Sequence, residues 1–296
     1  MHDATALADA IARHAPHDGM LPTAIPGLTL IRTSAPTLPM PVVYEPSVCL
    51  VAQGRKRALL GTTAFDYMPG THLLASVGLP IVGSVTEASP QRPYLSLQLE
   101  IDVHELGELA LRHVPTAEAP AAPTGLTLGT TPRELLDASV RLVSLLDAPD
   151  DIDALAPLTV REMLYRLLSG PEGHILRHMA RADSRLSQVA RAIVWIRQRY
   201  REACRIEEAA DVAAMSRSSF HQHFRAITRM SPIEFRTQLR LQEARRLMLA
   251  EAMDAASAGF AVGYGSPSQF SRDYARVFGS PPARDAQRLR LEFSSA

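Results

Sequence analysis

The chain has 296 residues, 46% of them hydrophobic and 21% charged, and its 31 basic and 31 acidic side chains leave a formal charge of zero. These values describe a soluble globular chain of about two domains and exclude a disordered tail, a collagen-like fibre and a small disulfide-stapled scaffold. The zero conceals a polarity, because residues 183–296 carry 18 Arg against 12 acidic side chains, a net of +6, and residues 1–182 carry the opposite net of −6. A chain divided in this way suggests a basic domain that meets an anion and an acidic domain with a different task. Lys56 is the only lysine beside 30 arginines. That excess runs through both halves, as a compositional bias would, and decides nothing by itself.

The N-terminus has neither a basic leader nor an apolar core, and no apolar run reaches the ~18 to 20 residues that span a bilayer. Cys49 and Cys204 lie far apart and form no ligand spacing. A cytoplasmic protein with no membrane partner is therefore expected. From about Leu28 to Ile101, runs of five to eight residues are separated by Gly or Pro, among them Ser47 to Gln53, Lys56 to Leu60, His72 to Val77 and Ile81 to Thr86. This punctuation predicts a small β-barrel or sandwich. Within Tyr94 to Ile101, Leu95, Leu97, Leu99 and Ile101 share one face, which predicts the core side. The period becomes helical after Asp102, and Pro115 to Pro123 reads as a loop. Thr131-Pro-Arg-Glu134 has the form of a helix start with a Thr cap. Two amphipathic helices follow, one burying Leu135, Leu136, Val140, Val143 and Leu146, the other running from about Pro157 to Leu168. Joined at Pro149-Asp150-Asp151, they predict a helical hairpin that serves as core or as a subunit contact.

The basic segment contains a tandem repeat. Ser216, Ser218, Phe220, Phe224, Ile227 and Pro232 recur as Ser266, Ser268, Phe270, Tyr274, Val277 and Pro282 at a constant offset of 50 residues. Each copy reads as a Ser-capped helix whose apolar residues fall at i, i+4 and i+7 and so form one buried stripe. The opposite face presents Arg217, Ser218, His221, Gln222 and Arg225 in the first copy, and Ser268, Ser271, Arg272 and Arg276 in the second. Side chains of this kind reach base edges and phosphates. A shorter Ala-rich helix precedes each copy, over Ile206 to Ala214 and about Asp254 to Val262, which is the helix-turn-helix plan. Pro232 to Leu249 predicts a single connecting helix about 25 Å long. Phe235, Leu239, Ala244, Leu247 and Met248 face inward along it, and Arg236, Arg240, Arg245 and Arg246 largely outward. Such a rod could hold two recognition helices about one DNA turn apart.

These residues resemble a known family. Ala213-Ala-Met-Ser-Arg-Ser-Ser-Phe-His221, Met230-Ser-Pro232, Leu239-Arg-Leu-Gln-Glu-Ala-Arg-Arg-Leu247 and Val262-Gly-Tyr-Gly-Ser-Pro-Ser-Gln-Phe-Ser-Arg272 are similar to the DNA-binding domain of AraC-type transcription regulators, over roughly Leu186 to Arg288. Pro46-Ser-Val-Cys-Leu-Val-Ala-Gln-Gly54 and Pro69-Gly-Thr-His72 resemble the cupin-like N-terminal domain of one branch of that family. The resemblance implies an α+β chain: a small cupin-like β-barrel that senses an effector over residues 1–125, a helical hairpin and linker with a dimerising role open to it over 126–182, and an all-α domain with two helix-turn-helix units joined by a long helix over 183–296. It implies double-stranded DNA as partner, a small-molecule effector, and neither catalysis nor cofactor; RNA polymerase and a second copy of the chain are further partners left open. Carried over residue by residue, base contacts fall to Ser218, His221, Gln222, Ser268, Ser271 and Arg272, and phosphate contacts to Arg217, Arg225 and Arg276. Two departures bear on stability. Arg229 stands where the family usually has the Gly that ends the first recognition helix, at a cost of about 1 kcal/mol if its backbone is left-handed. Gly259 stands where the family usually has Ala, which would loosen the second unit.

A metal-dependent cupin-type enzyme fused to a DNA-binding module is the alternative. It lacks ligands in the sequence, since His72 stands alone with Leu74 where a second His would fall, and His221 and His223 point apart on a helix. Cys49 and His72 remain the candidate effector or sensor residues. For Cys49 the readings are an inert core residue or a thiol tuned by Arg55 and Arg57; for His72, a structural or an effector-contacting residue. No nucleophile elbow, Walker loop or dinucleotide fingerprint is present.

Overall fold

A computed structural model describes residues 4–112, 124–202 and 205–294. Cys204 and the loop anticipated over Pro115 to Pro123 lie outside the described residues. The chain divides into two units, Met1–Gln188 with Ala226–Arg229, and Val189–Arg225 with Met230–Ala296.

The first unit runs α1 (Ala4–His14), β1 (Gly19–Pro22), β2 (Leu28–Thr33), β3 (Met40–Tyr44), β4 (Ser47–Gln53), β5 (Arg55–Leu60), β6 (Thr63–Tyr67), β7 (Thr71–Ala75), β8 (Leu79–Glu87), β9 (Tyr94–Glu100), α2 (Val103–Arg112), β10 (Leu126–Thr130), α3 (Arg133–Ser144), α4 (Ile152–Ser169) and α5 (Gly173–Ala180). The anticipated β structure is present as two sheets and not as one closed barrel: a six-stranded sheet in the order β1-β2-β9-β4-β7-β10 and a four-stranded sheet in the order β3-β8-β5-β6. The chain crosses from the first sheet to the second at Gly54, whose φ is +79°; a Cβ there would lie 2.5 Å from the Glu87 carbonyl oxygen, so only glycine fits the corner. The β4–β9 register shifts beside it between Val51 and Gln53, and the β5–β8 register between Arg55 and Lys56. Irregularities of this kind bend strands away from a continuous ladder.

Leu95, Leu97, Leu99 and Ile101 are buried as expected, and so are Tyr94 and Ser96 on the alternate face of β9. Both faces of the sheet are therefore covered: α1 lies against β2, β4 and β9 with Leu7, Ala8, Ala10 and Ile11 inward, and the second sheet closes over the other side. The hairpin forms from α3 and α4, with α1 on α3 and α5 on α2 and α4. Three details correct the sequence reading. Leu126 to Thr130 pairs antiparallel with β7, and the Thr131 N–H extends the contact to the Gly70 carbonyl, so Pro132 and not Thr131 occupies the cap of α3 and no side chain caps it. The second hairpin helix begins at Ile152, which places Pro157 inside it. The short helix α5 was not anticipated; its Ile175, Leu176 and Met179 are buried.

The second unit is helical: α6 (Arg185–Arg199), which begins just before the boundary, α7 (Ile206–Val212), α8 (Arg217–Thr228), α9 (Pro232–Ala250), α10 (Ala255–Ala261), α11 (Pro267–Phe278) and α12 (Pro282–Ser294). The rings of Phe220, Phe224 and Phe235 meet edge to face at 5.3 and 5.4 Å and fasten α8 to α9. Tyr264, Phe270 and Tyr274 repeat the arrangement at 5.3 and 5.5 Å over Leu241, Ala244, Leu247 and Met248 of α9. Such contacts favour association beyond the apolar area they bury. Among the described residues no helix is long and apolar enough to cross a membrane.

Gly259 does not loosen this unit. A Cβ at that position would lie 2.9 Å from the Phe270 ring, so the missing side chain is what lets α10 and α11 approach. Gly259→Ala should therefore destabilise the helical unit by about 1 to 3 kcal/mol despite the better helix propensity of Ala. Urea denaturation followed by helical circular dichroism measures it, and a raised midpoint would contradict the packing argument.

Candidate nucleic-acid interface

In both copies a short helix ends in a tight turn that launches the next helix. After α7 the turn passes through Ala214 at φ 52°, with the Met215 N–H bonded to the Ala210 carbonyl. After α10 it passes through Gly263 at φ 90°, where a Cβ would fall 2.0 Å from the Arg201 carbonyl oxygen. The expected serine caps differ from the plan. Ser216 accepts only a long 3.4 Å bond from the Ser219 N–H, and Ser266 makes no capping bond at all. Pro267 at the first position of α11 supplies the preset φ and has no N–H to satisfy.

On α8, Arg217, Ser218, Gln222 and Arg225 are exposed and His221 is half-buried, while Phe220 and Phe224 are fully buried beneath them. On α11, Ser268, Arg272 and Arg276 are exposed and Ser271 is half-buried over Phe270 and Tyr274. The structure thus places all nine candidate DNA-contacting residues on the accessible sides of the two helices. Gln269, which the sequence reading passed over, is exposed as well; spacing of three and seven residues from Arg272 and Arg276 puts it on their face, and the same helical count could have found it. Two of the arginines have internal partners, Arg217 with Glu207 at 3.1 Å and Arg276 with Asp273 at 2.9 Å, yet both side chains stay more than two-thirds exposed. Pairs this open contribute little to stability.

The recognition helices are held from beneath. Ser231 and Glu234 form a reciprocal capping box at the start of α9. The four arginines expected to face outward on α9 do not behave alike. Arg246 is exposed, and Arg240 donates to the carbonyls of Tyr200, Arg201 and Glu202. Arg245 is 4% exposed and bonds Asp285, itself fully buried, at 2.9 and 3.2 Å. Asp285 also accepts from the Tyr274 hydroxyl at 2.9 Å and from Arg288 at 2.8 Å. Burial opposes the charge on this carboxyl, but Arg288, Arg245 and Tyr274 outweigh it and hold its pKa below the usual value. The same contact, added to burial, pushes the Tyr274 phenol well up, so it remains a donor. Tyr274 belongs to the buried stripe of α11, and the cluster therefore fixes how that helix presents Ser268 and Arg272. Arg229 does have the left-handed backbone the sequence suggested, with φ 60°, and its counterpart Gly279 has φ 73°.

Cys49 and His72 in the first unit are not brought together. Cys49 lies opposite Leu73 on β7, and His72 opposite Leu50, so the two side chains leave opposite faces of the sheet. Both are buried. Burial pushes the Cys49 thiol up, which removes the thiolate character a reactive sensor needs. His72 Nε2 lies 3.8 Å from Glu172 Oε2, and burial lowers its pKa against that carboxylate. A Cβ on Gly129 would strike both groups. Among the described residues no group of three or more His, Cys, Asp or Glu is placed to hold a metal ion.

Comparison with known proteins bears on the family and the fold. A family model described as the AraC-type transcriptional regulator N-terminus matches residues 24–175, and a helix-turn-helix domain model matches residues 209–288. The RCS-specific HTH-type transcriptional activator RclR of Escherichia coli is 36% identical over 85 residues, which cover 29% of this chain and 30% of that one. A putative AraC-like transcription regulator of Streptomyces lividans is 33% identical over 119 residues, 37% of this chain and 39% of that one. The matches to these two thus span well under half of their lengths. The HTH-type transcriptional regulator ExsA of Pseudomonas aeruginosa is 24% identical over 264 residues, 88% of this chain and 92% of that one. Among solved structures, unsaturated fatty acid bound ToxT of Vibrio cholerae superposes with a TM-score of 0.53 at 11% identity over 88% of this chain and 93% of that one, a likeness of fold.

Removing Asp285 would leave Arg245 buried without its counter-charge, and Asp285→Ala should cost about 3 to 5 kcal/mol of helical-unit stability. The depressed carboxyl pKa adds a sign: its contribution is present above the unfolded-state pKa and is lost as pH falls through the lower folded value. Denaturant titrations of wild type and variant at neutral and acidic pH measure both effects. Equal stability of the two proteins at neutral pH would contradict the role given to the cluster.

Proposed function

This chain belongs to the AraC-type transcriptional regulators, and from that premise we propose how it reads DNA and what controls it. As a member of that family it is a sequence-specific DNA-binding regulator of transcription. The observation that carries the finer reading is the duplicated polar face: two helices, each anchored by a buried aromatic stripe, each presenting short polar side chains in its first turns and arginine beyond. Ser218, His221 and Gln222 on α8, and Ser268, Ser271 and Arg272 on α11, read base edges in successive major grooves; Gln269 joins them. Arg217, Arg225 and Arg276 hold phosphates and set the register. A net of +6 over residues 183–296 is modest, so affinity rests on base contacts and on two linked units more than on bulk attraction.

The N-terminal unit adjusts this activity by binding a small molecule that favours one arrangement of domains or subunits on DNA. Support comes from the shared fold of ToxT, solved with an unsaturated fatty acid bound. The protein acts in the cytoplasm as a regulator, with RNA polymerase and a second copy of itself as its protein partners, and not as an enzyme.

Gel-shift titrations test the assignment of faces, using DNA fragments selected by the protein from the source genome. Arg272→Ala should lower specific affinity by about 1 to 3 kcal/mol and relax preference at one base position. Arg217→Ala should weaken all sequences alike and reduce the salt dependence by about one counterion. Unchanged binding in both variants would show that other residues face the DNA.

A further inference from the structure

Where the helical hairpin meets the end of β9, the first unit leaves a cavity of about 530 Å³. Small-molecule sites commonly measure ~300 to 1,000 Å³. Its apolar lining comes from Ile25 in the turn before β2, Leu99 and Ile101 at the end of β9, and Ile152 and Ala156 on α4, all of them buried. Val160, half-buried one turn further along α4, continues that surface. The second sheet contributes no residue to the lining, so this space is separate from the one between the sheets. Its wall is formed in advance. The Thr23 hydroxyl accepts from the Ile25 N–H at 3.1 Å and donates to the Leu28 carbonyl at 3.0 Å, and the Glu100 N–H bonds the Gly27 carbonyl at 3.0 Å.

The charged residues around this apolar surface are all acidic: Glu100, Asp102, Glu105 and Asp153. Two of them have structural work. Asp102 accepts from the His104 N–H at 2.8 Å at the start of α2, and Glu105 pairs with Arg161 at 3.4 Å. Glu100 and Asp153 are exposed, and among the described residues no basic side chain pairs with either. The N-termini of α2 and α4 adjoin the cavity and contribute roughly half a positive charge each. Asp102 alone offsets about that much, which leaves Glu100 and Asp153 as uncompensated negative charge. Pro157, inside α4, adds a neutral acceptor, because it has no N–H to return to the carbonyl of Asp153 four residues back. Both residues line the cavity.

We propose that this cavity binds a small organic ammonium ion, its apolar body against Leu99, Ile101 and Ala156 and its charge held by Glu100 and Asp153. Charge complementarity selects a cation, and the buried aliphatic lining selects one that carries a hydrocarbon body over an inorganic ion. N–H donors on the ammonium make charge-assisted bonds to the two carboxylates, which are the stronger kind. A ligand there touches β9 and α4 together, so its occupation fastens the hairpin to the sheet. The site goes beyond the small-molecule control proposed above, since it requires nothing of the space between the sheets and stands or falls by its own binding.

Calorimetric titration of the full chain with phenylethylamine, phenylbutylamine and octylamine at neutral pH, each beside the alcohol of the same skeleton, tests it. At least one amine should bind, with its alcohol tenfold weaker or worse. Glu100→Gln combined with Asp153→Asn should lower affinity for the amine at least tenfold and leave the alcohol unaffected. Val160→Phe, which fills the cavity and keeps both carboxylates, should weaken amine and alcohol alike. Circular dichroism checks that each variant is folded; if the double variant is not, Glu100→Gln and Asp153→Asn taken singly decide, each with a severalfold loss. Amine and alcohol bound equally by wild type, amine affinity unchanged in the folded variants, or no binding by any amine of the panel would overturn the proposal.

Discussion

The buried pair of Arg245 and Asp285 is the joint on which the second half of the protein depends. Two charges withdrawn from water do not repay their desolvation through mutual attraction alone. Here the remaining hydrogen-bonding capacity of the carboxylate is also used, by Tyr274 and Arg288, and the guanidinium face lies 4.5 Å from the Phe278 ring centre. A polar network satisfied to this degree rigidifies a core, whereas a half-satisfied one would weaken it. Its members come from α9, α11 and α12, so a single cluster sets the rotation of α11 about its own axis. Rotation is what decides which side chains of a recognition helix face outward, and base reading tolerates little error in it.

The two copies of the helix-turn-helix plan close their cores by different means. The first relies on three edge-to-face phenylalanines and on the capping box at Ser231 and Glu234. It bears a left-handed arginine at 229, where the second copy has Gly279. The second copy has the ion cluster and the close approach at Gly259. Its recognition helix also carries Asp273, bonded to Arg276, while the first has no acidic residue. The first helix therefore offers the more positive surface and the second the more rigidly held one. Affinity and register can be divided between them in that sense.

The repeat, its offset and the polar faces were legible in the sequence because one helix with one buried stripe yields a clean period. The long helix α9 was less legible for the opposite reason. Phe235 serves the first core and Leu241, Ala244, Leu247 and Met248 serve the second, so its buried side turns along its length and Arg245 falls inside. Helical counting assumes a single stripe, and it placed Arg245 outward with Arg246. Strand β10 was invisible because its five residues are too few to show a period beside the helix start that follows, and only the register against β7 identifies them. The leucine alternation of β9 correctly gave one core face. It could not show that the other face, with Tyr94 and Ser96, is enclosed too, since alternation reports polarity and burial follows from what is stacked above. Candidate residues on exposed helices were therefore found by pattern, and the second buried face of β9 only by structure.

Charge separation along the chain gives the two halves distinct electrostatic tasks. The net +6 lies within residues 183–296, where the duplicated helices are, and the net −6 lies before them. An acidic N-terminal half adds nothing to non-specific attraction for phosphate, which keeps DNA binding a property of the recognition unit. Within the N-terminal unit the exposed charges of β5 are paired locally, Arg57 with Asp66 at 2.7 and 2.9 Å and Arg55 with Glu87 at 3.6 Å. Such surface charges are screened over about 8 Å at physiological salt, so local arrangement, and not net charge, sets the field around the sheets.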